Sequence, residues 1–136
     1  MVQAEVVHLL GNNGDRIPFI VANASAIAKG DFLELADPFT VTAHAGNVDT
    51  PIVGIAAHEK VTNDGHLTIT GITNCTFKAL VLAATGTCTI GDPVSMGATA
   101  GSVDVATTLD LEKGWTVGIA YEAGAAGETA LFRSTF

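Results

Sequence analysis

Short apolar runs alternate with polar residues along this chain, and nearly every run is closed within about ten residues by Gly, Asn, Asp or Pro. In "HLTIT" the apolar Leu67 and Ile69 alternate with polar neighbours, the period-two pattern of a half-buried strand. The same reading makes strands of "AEVVHLL", "RIPFIVAN", "GDFLEL", "PFTVTAHA", "IVGIAAHEKV", "HLTITGI", "CTFKALVLA", "TCTIGDPVSM", "SVDVATT", "WTVGIAYEA" and "ETALFRSTF". Between the first two lies "GNNGD", whose Asn and Gly accept the positive φ of a tight reversal. This predicts an N-terminal arm or hairpin over residues 1–16 and a single β domain over 17–136. Helical signals are confined to two short pieces. "ANASAIAK" (22–29) has Ser25 as a cap, and "TLDLEKG" (108–114) is a single turn stopped by Gly114. The class is all-β.

One phrase is written twice. Val53-Gly54-Ile55-Ala56 recurs as Val117-Gly118-Ile119-Ala120, and each copy follows a Gly-Asp pair, Gly30-Asp31 and Gly91-Asp92. Gly-Asp before an apolar strand is turn chemistry, with Gly taking an unusual backbone angle and Asp capping local N–H groups. A Gly within the strand marks a bulge or a second backbone passing close by. Pseudo-repeats at about 29–59 and 90–123 therefore predict a compact, pseudo-symmetric β-barrel or β-sandwich (β-tulip-like) with short helical turns.

Composition narrows the function. Of 136 residues, 48% are hydrophobic and 15% charged, with mean hydropathy +0.41. Freely diffusing domains carry about a quarter charged residues, so much of this exterior is expected to lie against other proteins. A net charge of −8, with Lys and Arg scattered along the chain, argues against nucleic acid as a partner. No apolar run reaches membrane-spanning length and no signal peptide is read at the N-terminus, so synthesis in the cytoplasm is expected. Cys75 and Cys88 are expected to be small buried thiols.

Catalytic motifs are missing. His8, His44, His58 and His66 lack helical metal-pair spacing, although a hairpin over "TNDG" would bring His58 beside His66. That is the ground for a metal-dependent hydrolase, a reading disfavoured because ordered metal sites need three supported ligands. Ser95 lies on a strand and not on a nucleophile elbow, Asp104, Asp110 and Glu112 read as loop charges, and "GAAGETA" lacks the ending of a P-loop. No catalytic residue, metal ligand or cofactor is assigned. Trp115 and Tyr121, an even number of positions apart, would share one face of an unbroken strand and form an aromatic patch. A carbohydrate- or cell-surface-binding module is the alternative function they would serve.

"IPFIVANASAIAKGDFLELADP", "GIAAHEKVTNDGHLTI", "TIGDPVSMGATAGSVDVA" and "LEKGWTVGIAYEAGAAGETALFR", in this order, resemble the small capsid cement, or decoration, proteins of tailed bacteriophages. The resemblance covers about Ile17 to Phe136. It implies a non-enzymatic structural protein of the virion, docked on the outer capsid surface, commonly as a homotrimer. There it would clamp major capsid protein subunits against the pressure of packaged DNA. Both chain ends are unusually apolar, which makes Val2, Val6, Val7, Leu9, Leu10, Leu131, Phe132 and Phe136 the expected contacts with the capsid or neighbouring copies.

Overall fold

The computed structural model describes residues 3–7, 14–84 and 86–136. Its elements in chain order are β1 (Glu5–Val7), β2 (Asp15–Ile20), β3 (Phe32–Asp37), β4 (Thr40–Ala43), β5 (Ile52–Ala56), β6 (Thr68–Thr73), β7 (Thr76–Val81), β8 (Pro93–Met96), β9 (Ser102–Val105), α1 (Thr108–Lys113), β10 (Thr116–Ala120) and β11 (Thr129–Ser134). The strands close into two barrels with the same order. The first runs β2-β4-β3-β5-β6 and returns to β2; the second runs β7-β9-β8-β10-β11 and returns to β7. Each is mixed, because β2 lies parallel to β4 and β7 parallel to β9, while every other pair is antiparallel. Sequence left barrel and sandwich open; the repeat resolves the choice by closing one barrel per copy.

The duplication extends to individual hydrogen bonds. Gly30 and Gly91 have φ of 87° and 88°, and their N–H groups donate to Ala56 O and Ala120 O. Asp31 Oδ2 accepts from Ala28 N–H at 2.9 Å, as Asp92 Oδ2 does from Thr89 N–H at 2.9 Å. The strand glycines are sites of close backbone approach: a Cβ on Gly54 would lie 3.3 Å from Gly71 Cα, and one on Gly118 would lie 2.9 Å from Arg133 O. The linings correspond too. Phe19, Val21, Ile27, Leu33, Val41, Ala56 and Ile69 fill the first barrel, and Ala79, Val81, Cys88, Val94, Val103, Ala120 and Ala130 stand at the same places in the second. Gly71 lets the large Phe19 fit. A Cβ there would come within 2.7 Å of the Phe19 ring, whereas the second barrel has the small Ala79 at the Phe19 position and the large Phe132 at the Gly71 position.

The barrels are joined by an aromatic core. Phe32 from β3 meets Phe77 from β7 edge to face, with centroids 5.4 Å apart, and Phe77 also packs on Phe132 and Phe136 at 5.6 and 6.1 Å. His44, 1% exposed, adds a polar tie. Its Nδ1 accepts from Gly101 N–H of the second barrel and its Nε2 bonds Asn47 O at 2.9 Å.

Two local expectations are corrected. The N-terminal segment does not fold back as a hairpin on β2: β1 pairs with β7 in the second barrel, whereas β2 pairs with β6 and β4 in the first. It is instead a strap across both barrels, with Ala4 N–H bonding Gly30 O and Ala4 itself buried. "ANASAIAK" is not helical either. Ile27 is 1% exposed and bridges Lys60 in both directions, because burying its side chain in the barrel outweighs a local propensity of about two turns. The turn at 108–113 does form, held by a Thr107–Asp110 capping box and ended by Gly114 at φ 71°. Cys75 and Cys88 are free thiols, both buried.

Candidate functional site

His58 and His66 line one depression of about 230 Å³, together with Pro18 and Thr68–Thr70. Each ring is engaged by its neighbours. His58 Nε2 accepts from Thr70 N–H at 3.4 Å, and His66 Nδ1 lies 3.1 Å from Asp64 Oδ2. Among the described residues no three His, Cys, Asp or Glu are grouped so as to hold a metal.

Lys60 beside them is not a surface cation. It is 2% exposed, and its Nζ donates to Asn23 O (2.9 Å), Ser25 O (3.1 Å), Val61 O (3.2 Å) and Asp64 Oδ1 (3.2 Å). A buried ammonium is tolerated only when its donors are satisfied and its charge is matched, and this cage does both. Asp64 is held well below the usual carboxylate range, first by the His66 N–H, with the His66 ring, Lys60 and Val61 N–H adding, against partial desolvation. The result is an exposed turn pinned from beneath by a buried ammonium. Its sequence signal was an Asp four residues after a Lys that follows an apolar run.

A second depression, of about 310 Å³, lies between the β8–β9 side of the second barrel and the Val48–Asp49 loop. Here the reading of Asp104 and Asp110 as loop charges fails, whereas Glu112 is exposed. Asp104 and Asp110 are each 8% exposed. Asp110 accepts from Thr107 N–H at 2.7 Å, Thr107 Oγ1 at 2.8 Å and Ser95 Oγ at 3.2 Å. Asp104 accepts from Ala84 N–H at 3.2 Å and Val105 N–H at 3.1 Å. These carboxylates fasten loops to strands, since buried carboxylate oxygens need hydrogen-bond donors.

Trp115 and Tyr121 flank β10 rather than sit within it, Trp115 half-buried and Tyr121 half-exposed. The strand between them is not regular. Its register on β8 shifts between Thr116 and Gly118, so even spacing no longer guarantees a shared face.

The apolar chain ends are largely used internally. Phe132 is completely buried, and Val6 and Phe136 pack against the same core. Phe132 is therefore corrected from surface contact to core residue. Leu131 is half-buried on β11, and Val7 pairs through its backbone with Thr76. Val2, Leu9 and Leu10 lie outside the described residues.

Exposed apolar side chains gather elsewhere, at one end of the first barrel. Ile20 is 51% exposed, Phe39 70% and Leu67 58%. Phe39 O accepts from Ile20 N–H at 2.7 Å on one side of β2, and Leu67 O accepts from Val21 N–H at 3.0 Å on the other. No short-range pattern marks these residues as a group, because they come from three separate segments.

Comparison with known proteins bears on what such a surface serves. A family model described as phage cement protein matches residues 11–134. No curated protein matches the chain significantly. Among solved structures, the head fiber gp8.5 N base of bacteriophage phi29 is similar, with a TM-score of 0.53 at 12% identity over 89% of this chain and 93% of that one. That likeness concerns the fold. The family match spans both barrels, and on its strength this chain belongs to the phage cement protein family, structural proteins of the capsid.

Proposed function

We propose that this protein binds the outside of the mature capsid and bridges adjacent major capsid protein subunits, holding them against internal DNA pressure. The carrying observation is the family match over residues 11–134. The architecture supports it: two closed barrels share an aromatic core and a buried His44 tie, which makes a stiff double unit suited to transmitting load. Closed barrels also leave few strand edges to aggregate while the protein is free. The sparse charge suits a face that is covered in the assembled shell. Many equal copies, each of modest affinity, would add strength through avidity. The reading includes self-association as a homotrimer and no catalytic role.

The test adds purified protein to undecorated capsids and images them. The expected result is density at regular outer positions, together with a higher temperature of capsid disruption. Capsids without added density at saturating protein would refute the proposal. Light scattering on the free protein measures its mass, and a monomer at all concentrations would remove the trimer.

A further inference from the structure

We infer that the end of the first barrel carrying Ile20, Phe39 and Leu67 is the face that docks on the capsid, against an apolar recess rimmed by Lys or Arg. This rests on the cement reading and goes further by naming the surface and the chemistry of its partner.

The two barrels act as each other's control. The same strand order and interior are built twice, so a residue needed only for folding should have a counterpart of like kind. Phe39 has none. It precedes Thr40, which pairs with Ile20; at the same place in the second barrel Gly101 precedes Ser102, which pairs with Leu80. Both residues have positive φ, 55° for Phe39 and 77° for Gly101. Glycine takes that conformation freely, while a bulky side chain is strained there. The first barrel thus keeps a strained phenylalanine, 70% exposed, where its twin shows that glycine suffices. Leu67 tells the same story. Its carbonyl receives Val21 N–H, and the equivalent acceptor for Val81 N–H is Glu128, a charged residue suited to water. Folding explains neither the strain nor the exposed apolar area, whereas docking explains both.

Charge selects the occupant. The segments forming this end, residues 22–25, 37–40 and 61–68, contain Asp37 and Asp64 but no Lys or Arg. The adjacent Lys60 is buried and consumed by its cage. Asp64 is matched by Lys60 in turn, so the unmatched charge of this face is Asp37, and a second copy meeting it through its own would set Asp37 against Asp37 in a chain of net charge −8. A basic-rimmed patch on the capsid exterior has the complementary sign. The Lys60 cage fixes the 61–66 turn and so holds Leu67 in place without a metal.

The experiment exchanges the twin's residues into the first barrel. Wild type and Phe39→Gly/Leu67→Glu are titrated onto undecorated capsids and quantified by co-sedimentation, with thermal melts of both proteins. The double variant should melt within about 5 °C of wild type and bind at least about tenfold more weakly. A folded double variant that binds as tightly as wild type overturns the inference and leaves the cement reading standing. Failure of wild type itself to bind overturns that reading, and this inference with it. If the double variant melts much lower, Phe39→Asn replaces it, since Asn tolerates the left-handed region, and undiminished binding again overturns the inference. Unchanged capsid binding with loss of self-association would make a second copy the occupant and overturn it equally.

Discussion

Replacing Gly71 by Ala tests whether the first barrel is packed as tightly as its geometry shows. The new Cβ would lie 2.7 Å from Phe19 Cε2 and 3.1 Å from both Phe19 Cδ2 and Leu33 Cδ1. Ordinary contact begins near 3.4 Å, so the ring must retreat by several tenths of an ångström. It has nowhere to go: Phe19 is 7% exposed and Leu33 is fully buried. Overpacking of this kind costs about 1–3 kcal/mol, while exchanging Gly for Ala within a strand returns about 0.5–1 kcal/mol. The net loss should be about 1–2 kcal/mol, read as a fall in melting temperature of about 4–8 °C. Urea titrations of a double-mutant cycle isolate the cause. In a Phe19→Leu background, where the ring is gone, Gly71→Ala should cost less than about 0.5 kcal/mol. Equal losses in both backgrounds would show that the cost does not come from the ring, and an unchanged single mutant would show that the interior is looser than described.

Lys60→Met should lose about 1–3 kcal/mol, because three carbonyls and a carboxylate lose the donor that the buried Lys60 shares among them; a loss under about 0.5 kcal/mol in urea melts, typical of exposed pairs, contradicts the cage. Asp64 has a folded pKa below its ordinary 3.8, so its contribution is present above 3.8 and fades as pH falls through the lowered value. The stability gap between wild type and Asp64→Asn should therefore shrink steadily below pH 3.8, and a gap independent of pH would refute the assignment. Thr107→Ala removes the cap of α1 and one donor to Asp110, for about 1 kcal/mol by thermal melt; no loss would mean the capping box is idle.

Duplication gives this small protein a rigidity that one barrel of its size would not reach. Each unit is near the lower limit at which a β-structure can bury enough surface to fold alone. Fusing two through Phe32 and Phe77 lets each bury a face of the other, and the Gln3–Val7 strap ties Gly30 of the first barrel to β7 of the second. Divergence between the copies is then free to act on loops, as at Phe39 and Gly101 or Lys60 and Gly124.

Local pattern was enough for the strands, the all-β class, the turn at 108–113 stopped by Gly114 and the duplication, because side-chain alternation, Gly-Asp turn chemistry and helix-stopping Gly act over a few residues and leave their mark in order along the chain. The family was legible for the same reason, its turn-and-strand phrases being contiguous. Tertiary structure alone decided that each repeat closes on itself, that β1 crosses to β7 instead of folding back on β2, and that 22–29 bridges Lys60 instead of coiling. It also turned Phe132, Asp104, Asp110 and Lys60 inward and brought Ile20, Phe39 and Leu67 to one end. Those outcomes depend on burial and on partners far away in sequence, and long-range contact carries an energy that no window of neighbouring residues records.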